Sequence, residues 1–295
     1  MTDIAPILTP AYRQRSPLWF AWRRFTANKA AAVAGMILLI LILMAIFAPL
    51  ITKTAPDAQR FLPQALAFPS PEFWFGVDDL GRDFFTRIVY GARVSLTIGF
   101  SAAAFSVLIG IPLGALAGYY GGRTDWLVMR IIELFSVVPP LLAAMLLGAI
   151  TRGGFFTIVL IAALFGWVQV CLLVRAQVRA FREKEFVRAA QALGASPGYI
   201  IRRHLIPNSI SPIIVGFVLA IPLAMMLEAS LSFLGIGVPP PTPSWGQMIN
   251  TGMNFMYFYW HLAVFPTLAL AITVLATTLF GDGLRDALDP TLKGR

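Results

Sequence analysis

The sequence predicts an all-α membrane protein, a bundle of six transmembrane helices with both termini in the cytoplasm. Three observations carry this. Of the 295 residues, 58% are hydrophobic and 13% charged, with a mean hydropathy of +0.77; a soluble chain of this length needs far more charge to cover its surface. The apolar residues form continuous blocks at 30–51, 94–118, 126–150, 154–174, 210–236 and 261–281, each near the ~20 residues a helix needs to cross a bilayer. They do not follow amphipathic spacing, so lipid is their solvent. Finally, the cations gather at the ends of alternate blocks, as positive-inside topology requires.

The first block, 30–51, follows a cationic segment, 1–29, containing Arg13, Arg15, Arg23, Arg24 and Lys29. It is too long and too far from the start for a secretory signal, and Ala45-Ile46-Phe47-Ala48-Pro49 is a poor cleavage site, so it reads as an uncleaved anchor. Segment 52–91 is too polar to span and is expected outside, with a short surface helix. Asp78 or Asp79 would cap that helix. Together with Asp83 they supply too few oxygen ligands for a metal.

In the second block Gly110, Gly114 and Gly118 recur every fourth residue, with Gly122 just beyond. Such a strip lets a neighbouring backbone approach closely. The third block carries Arg130 and Glu133, spaced for a local ion pair. Pro139-Pro140 then kinks or breaks it mid-span, and Pro222 is expected to do the same in the fifth. Freed carbonyls at such points are tolerated where they face protein or water. Pro139, Pro140 and Pro222 are therefore candidates for lining a translocation path. So is Glu228, the one acid deep in a span, which either faces such a path or hydrogen-bonds to a neighbouring helix.

The loop from Gly237 to His261 lacks Lys and Arg, which places it outside. Its Trp245 and the run Phe255 to Trp260 read as interfacial anchors rather than substrate contacts. The tail, 284–295, carries Arg285, Lys293 and Arg295 and is expected in the cytoplasm.

Other chemistries find little support. The single Cys171 and two histidines are too scattered for a zinc site. The net charge of +9 is spent at block ends and not in a basic stripe, so nucleic acid is excluded as a partner. Gly194-Ala195-Ser196-Pro197-Gly198 matches G-x-S-x-G, but no strand precedes it. Gly194 suits a left-handed helix end and Ser196 a cap ahead of Pro197.

That corner lies in the most informative segment, the Arg-rich cytoplasmic loop 175–209. It reads as a two-helix hairpin. Arg175, Arg179 and Arg182 share one face of the first arm, with Phe181, Phe186, Ala189, Ala190 and Leu193 forming an apolar surface elsewhere. The second arm runs from Pro197 to Ile206 and stops at Pro207. A capped projection of this kind suits docking to another protein; the competing reading is a loop lying on anionic headgroups.

Here the chain resembles a known family. Arg188-Ala189-Ala190, Gly194 and His204-Leu205-Ile206-Pro207 look like the EAA signature of binding-protein-dependent ABC importer permeases: an EAA triplet, Gly four residues on, then an I-x-L-P ending. GVDDLGRDFFTRIVYGARVSL from Gly76, EASLSFLGIGVPPPTPSWGQM from Glu228, GDGLRDALDP from Gly281 and the N-terminal WFAWRRFTANKAAAVAG resemble the dipeptide, oligopeptide and nickel branch, specifically its C-type permease subunit. Arg188 replaces the family Glu, and His204 and Ile206 replace Ile and Leu.

The resemblance implies a type I ABC importer permease-like bundle, with a core permease domain over 92–283. Loop 175–209 would be the ATPase-coupling element, through Arg188, Ala189, Ala190, Gly194, Ala195, Ser196, Pro197 and Pro207. It implies a second homologous permease subunit, two ABC ATPase subunits that bind ATP and Mg, an extracytoplasmic substrate-binding protein, and the lipid bilayer as surroundings. The chain itself lacks any Gly-Lys pair, so it holds no phosphate-cradling P-loop, and no cofactor is expected on it. The cargo stays open between peptides, nickel and other small solutes. The rival from another class is an ion-coupled secondary transporter, which calls for more intramembrane acids and paired repeats.

Overall fold

The computed structural model describes residues 17–151 and 153–288. Arg13, Arg15, Arg152, Lys293, Arg295 and the closing Asp289-Pro290 of the last motif lie outside the described residues.

Helix α1 (Pro17–Ala27) precedes the first span. One extended residue, Asn28, separates it from α2 (Lys29–Ile46), whose first turn it caps by accepting from the Ala31 N–H at 3.2 Å. The first apolar block ends in a short α3 (Ala48–Ile51), with Pro49 in its first turn. Segment 52–83 holds a 3-10 turn at Leu62–Gln64 and an antiparallel bridge between Val77 and Asp83.

The expected surface helix is absent from this segment. Instead α4 (Phe84–Tyr120) begins ten residues before its apolar block, at 84 against 94, and its cap is Asp83, not Asp78 or Asp79. Asp83 Oδ2 accepts from the Thr86 N–H at 2.9 Å. The reason for the early start is Arg87, which looks soluble in sequence but is buried. Its guanidinium donates to the Pro56 carbonyl at 3.0 Å and to Gln247 Oε1 at 3.3 Å, and pairs with Asp78 at 3.4 Å. Asp78 also receives Arg82 Nε at 2.6 Å, so this carboxylate ties the outer segment to the head of α4. At about 1.5 Å per residue, the 37 residues of α4 reach about 55 Å, well beyond the apolar thickness of a bilayer.

The third block is two helices, α5 (Gly122–Val137) and α6 (Pro140–Thr151), bent by 79°. Val138, held extended at φ −86° and ψ 120°, is the residue before Pro139, where ring contacts disfavour the helical region. Then α7 (Phe155–Arg182) runs past its block to the hairpin, so the expected first arm begins as the unbroken end of a span. The hairpin contains α8 (Glu185–Ala192), α9 (Pro197–Ile200), a π-turn at Ile201–Leu205 and α10 (Ile206–Asn208). It leads into α11 (Ile210–Phe233), then α12 (Trp245–Met253) and α13 (His261–Leu288).

Among the described residues five helices are long and apolar enough to cross a membrane, or six when the bent α5–α6 pair is counted as one span. Among the described residues there is no strand beyond the single bridge. Trp245 is a correction to the interfacial reading: it is fully buried, donating Nε1 to the Ile88 carbonyl at 3.0 Å. Gly91 makes room for it, since an added Cβ there would stand 2.9 Å from the indole. The exposed aromatics of that loop are Tyr257, Phe258 and Trp260.

Candidate functional site

The hairpin rests on a closely packed helix pair, α4 and α7. Gly110, Gly114 and Gly118 of α4 are all buried against α7. A Cβ at Gly110 would meet Val170 at 2.7 Å, one at Gly114 the Cys171 carbonyl at 2.5 Å, and one at Gly118 the Arg175 carbonyl at 2.7 Å. Three successive turns of backbone thus lie directly on α7, the close approach that small residues permit in membranes. Gly122 stands apart: it opens α5 at φ +51° with nothing near it. Beside the strip, Arg175 grips Asp125 of α5 with two bonds of 2.5 and 2.6 Å, so the last turns of α7 are fixed from two sides.

From Arg182 the chain turns through Glu183 and Lys184 into α8. One face of α8 points inward: Val187 is fully buried and Ala190 partly so. They join Ile200, Ile201 and Leu205 from the second arm, packed on Ala115, Tyr119, Val174 and Val178 at the ends of α4 and α7. The hairpin therefore has a core of its own, continuous with the span bundle. Val187, Ile200, Ile201 and Leu205 are the anchors that the sequence reading missed. Their signal was present as apolar residues at helical spacing on both sides of the turn.

Gly194 makes the corner. Its φ is +80°, where residues with a Cβ are strained. The Ala195 N–H reaches back to the Ala190 carbonyl and the Gly194 N–H to the Gln191 carbonyl, both at 3.0 Å. This is the paired helix-end arrangement that satisfies two orphan carbonyls. Ser196 then caps α9, its hydroxyl accepting from the Tyr199 N–H at 3.4 Å, with Pro197 in the first turn. The serine hydroxyl is thus a helix cap.

Pro207 does not stop the second arm. It has no N–H to donate, and its ring would crowd the carbonyl four residues back. The helix answers with a π-turn: the Ile206 N–H bonds to the Ile201 carbonyl, five residues earlier, and helical structure continues through Asn208. The Asn208 side-chain amide donates to the His204 carbonyl at 2.5 Å. One extra residue in a turn, placed next to a proline, accommodates the ring without ending the helix.

What the hairpin turns outward is mixed apolar and cationic. Arg188, Ala189, Gly194, Ser196, Pro197 and Pro207 are exposed, as are Arg202 and Arg203. Leu193, at the tip, is 89% exposed. Among the described residues the ion-pair partner of Arg188 is Glu183, an exposed contact at 3.3 Å. The His204 ring lies between Phe186 and Tyr199, 6.3 and 5.7 Å from each, and so bridges the two arms. Leu193 and Ala189, expected as part of the hairpin's apolar surface, face away from the hairpin's core.

Within the bundle, Glu228 of α11 is fully buried and enclosed by protein. Ser232 donates to Oε1 at 2.7 Å and Ser95 of α4 to Oε2 at 3.3 Å, while Ser95 itself accepts from the Trp245 N–H at 3.3 Å. Of the two readings of this acid, the structure displays the hydrogen bond to a neighbouring helix. Pro222 is likewise buried, in an α11 that runs unbroken from Ile210 to Phe233. Next to it, Ile221 and Met225 straddle Gly99 of α4. Pro139 and Pro140 are exposed at the α5–α6 bend. Pro139 lines an apolar groove of about 520 Å³ with Leu134, Phe135, Val138 and Leu142.

Comparison with known proteins agrees with this architecture. Residues 110–294 match the family of binding-protein-dependent transport system inner membrane components, and residues 16–69 match the N-terminal transmembrane domain of oligopeptide transport permease C. The oligopeptide transport system permease protein OppC of Bacillus subtilis is 42% identical over 92% of this chain and 89% of its own length. The glutathione transport system permease protein GsiD of Pectobacterium atrosepticum is 40% identical over 95% of this chain and 93% of its own. Among solved structures, an inward-facing form of the MetNI methionine ABC transporter superposes with a TM-score of 0.54 at 18% identity, covering 69% of this chain and 96% of that one. With a multi-pass bundle, this helix order and these relatives, the chain belongs to the family of binding-protein-dependent transport system inner membrane components, as a permease of the inner membrane.

Proposed function

We propose that this permease forms part of the membrane pathway of an ATP-driven importer of peptides or peptide-like solutes, and that loop 175–209 couples it to separate ATPase subunits. The observation that carries the reading is the hairpin tip. Leu193, Ala189 and Arg188 are held outward on a base packed into α4 and α7, and the corner at Gly194 is fixed by backbone bonds. A rigid, exposed, mixed apolar and cationic projection is a surface built to seat in a groove.

On this reading both termini and the hairpin are cytoplasmic. Segment 52–83 and the loop between α11 and α13 face outward, towards an extracytoplasmic substrate-binding protein. A second homologous permease completes the pathway, and two ABC ATPase subunits bind ATP and Mg and hydrolyse it; this chain is not itself an enzyme. Relatives named for oligopeptide, dipeptide and glutathione transport support peptide-like cargo. The unbroken α7 lets a displacement of the hairpin pass along one helix into the span bundle.

The test is reconstitution. Coexpression with the partner subunits should yield a complex that takes up labelled di- or oligopeptides into proteoliposomes only with ATP and binding protein, with nickel failing to compete. ATP-driven uptake by the single purified chain would overturn the reading, and uptake driven by an ion gradient without ATP would replace it with a secondary transporter.

A further inference from the structure

We propose that α1 is a lipid-reading element that lies on the cytoplasmic leaflet and binds anionic headgroups; this rests on the cytoplasmic placement of the N-terminus given above. One face of α1 is committed to the bundle: the Phe25 ring meets Phe280 of α13 edge-on at 5.3 Å, and Ala21, Arg24 and Phe25 are partly buried. Among the described residues, nothing covers the remainder. Trp22 is 67% exposed and Phe20 48%, and Arg23 is exposed with its guanidinium over the Trp19 ring at 5.6 Å. Large aromatics beside arginines are the composition of helices that settle at the headgroup boundary.

Three features select a lipid surface over a protein partner. First, the position is fixed. Asn28 is the single residue between α1 and the span helix α2, and at φ −80° and ψ 95° it is extended. The Asn28 N–H closes α1 on the Arg24 and Phe25 carbonyls, while its side chain opens α2. One extended residue between two helices prevents α1 from continuing along the α2 axis, so α1 is a separate helix joined directly to the head of the span. Secondly, the charge is one-sided: residues 1–52 carry Arg13, Arg15, Arg23, Arg24 and Lys29 against Asp3 alone. This suits an anionic leaflet, which attracts such segments. Thirdly, α1 is anchored: Gly35 of α2 lies against the Phe280 ring and Gly283 of α13 against Ala31, so the junction that holds α1 is closely packed. The exposed aromatics are thereby held in place beside the headgroups.

The experiment uses the full-length chain, purified with the subunits that accompany it, in nanodiscs of phosphatidylcholine alone or mixed with phosphatidylglycerol. A nitroxide is placed at Trp22→Cys and, as a water-facing control, at the exposed Glu72→Cys outside the hairpin; the native Cys171 is buried. The position-22 label is expected to be relaxed by oxygen and shielded from a water-soluble nickel chelate, the control showing the reverse. Native mass spectrometry of the unsubstituted chain should show phosphatidylglycerol retained over phosphatidylcholine. Arg23→Gln should reduce that preference about fivefold, the effect of one cation near an anionic surface. A label at 22 open to the nickel chelate in both lipids overturns the proposal. So does one shielded from both relaxants, which would mean a protein covers the face. Nanodiscs expose both leaflets, so this result does not depend on sidedness. Labelling of Thr26→Cys and Glu72→Cys by an impermeant maleimide on intact cells tests sidedness separately, with reaction expected at position 72 and none at 26.

Discussion

The corner at Gly194 offers a prediction in which conformation and contact can be separated. A Cβ built there meets no atom within 4 Å, so a larger residue does not clash with this chain. What it must do is adopt φ +80°. That costs alanine about 1 kcal/mol and a β-branched valine about 2 kcal/mol, while asparagine enters the left-handed region readily. One kcal/mol is roughly a fivefold change in the population of the correct corner and two roughly thirtyfold. The two bonds that close α8, Ala195 N–H to Ala190 and Gly194 N–H to Gln191, open with it. The span bundle is untouched, because a side chain at 194 meets none of it.

The expected order of ATPase copurification and of ATP-driven uptake is therefore Gly194, Asn, Ala and Val, with the amount of permease in the membrane constant across the series. Quantitative pulldown from membranes and initial uptake rates measure it. Full attachment and transport by Gly194→Val would refute the coupling role of the hairpin. If Gly194→Asn fails as badly as valine, the glycine is needed because a partner backbone approaches it, and the conformational argument fails.

Four further outcomes follow from the same geometry. Gly114→Ala should destabilise the subunit by about 1–3 kcal/mol, seen as a lower melting temperature in detergent. Its Cβ must gain about 0.9 Å from the Cys171 carbonyl, from 2.5 to an ordinary 3.4 Å, and only a shift of α7 provides that. Leu193→Asp should leave stability and insertion unchanged, since the side chain is 89% exposed, yet reduce ATPase attachment at least tenfold in a binding titration. Asp125→Asn should cost about 1 kcal/mol, the scale of a partly exposed bidentate pair, read by a double-mutant cycle with Arg175→Gln. Glu228→Leu, which strands the Ser95 and Ser232 hydroxyls, should lower membrane abundance, whereas Glu228→Gln should keep both abundance and cargo preference; altered preference at normal abundance would show that the acid does line the path.

The legible parts of this molecule were those written in periodicity. The glycines at 110, 114 and 118 announce a close helix approach because only one helical face repeats every fourth residue. Gly194, Ser196 and Pro197 announce a corner because each residue type suits one backbone position. What was hidden depends on tertiary partners. Arg87 reads as the end of a soluble segment because hydropathy cannot see Asp78, Pro56 and Gln247 converging on it. Trp245 reads as an interfacial anchor because a buried indole and an interfacial one have the same letter. Yet Ser244-Trp245-Gly246-Gln247 does have the form of a capping box opening a helix, and the Gln247 N–H indeed bonds to the Ser244 hydroxyl at 3.2 Å. Pro207 reads as a stop because a π-turn leaves no distinctive signature in sequence.

The polar contacts of α4 also impose a timetable on synthesis. Ser95 meets Glu228 across 133 residues of chain, and Arg87 meets Gln247 across 160. At about 5–20 residues per second, α4 waits roughly 7–30 seconds in the ribosome-bound state before those partners exist. During that interval Ser95 lacks its Glu228 partner and Arg87 its bond to Gln247, while Pro56 and Asp78 already hold the guanidinium. A chain stalled or truncated before Glu228 therefore keeps the Ser95 hydroxyl without the carboxylate that receives it in the finished protein.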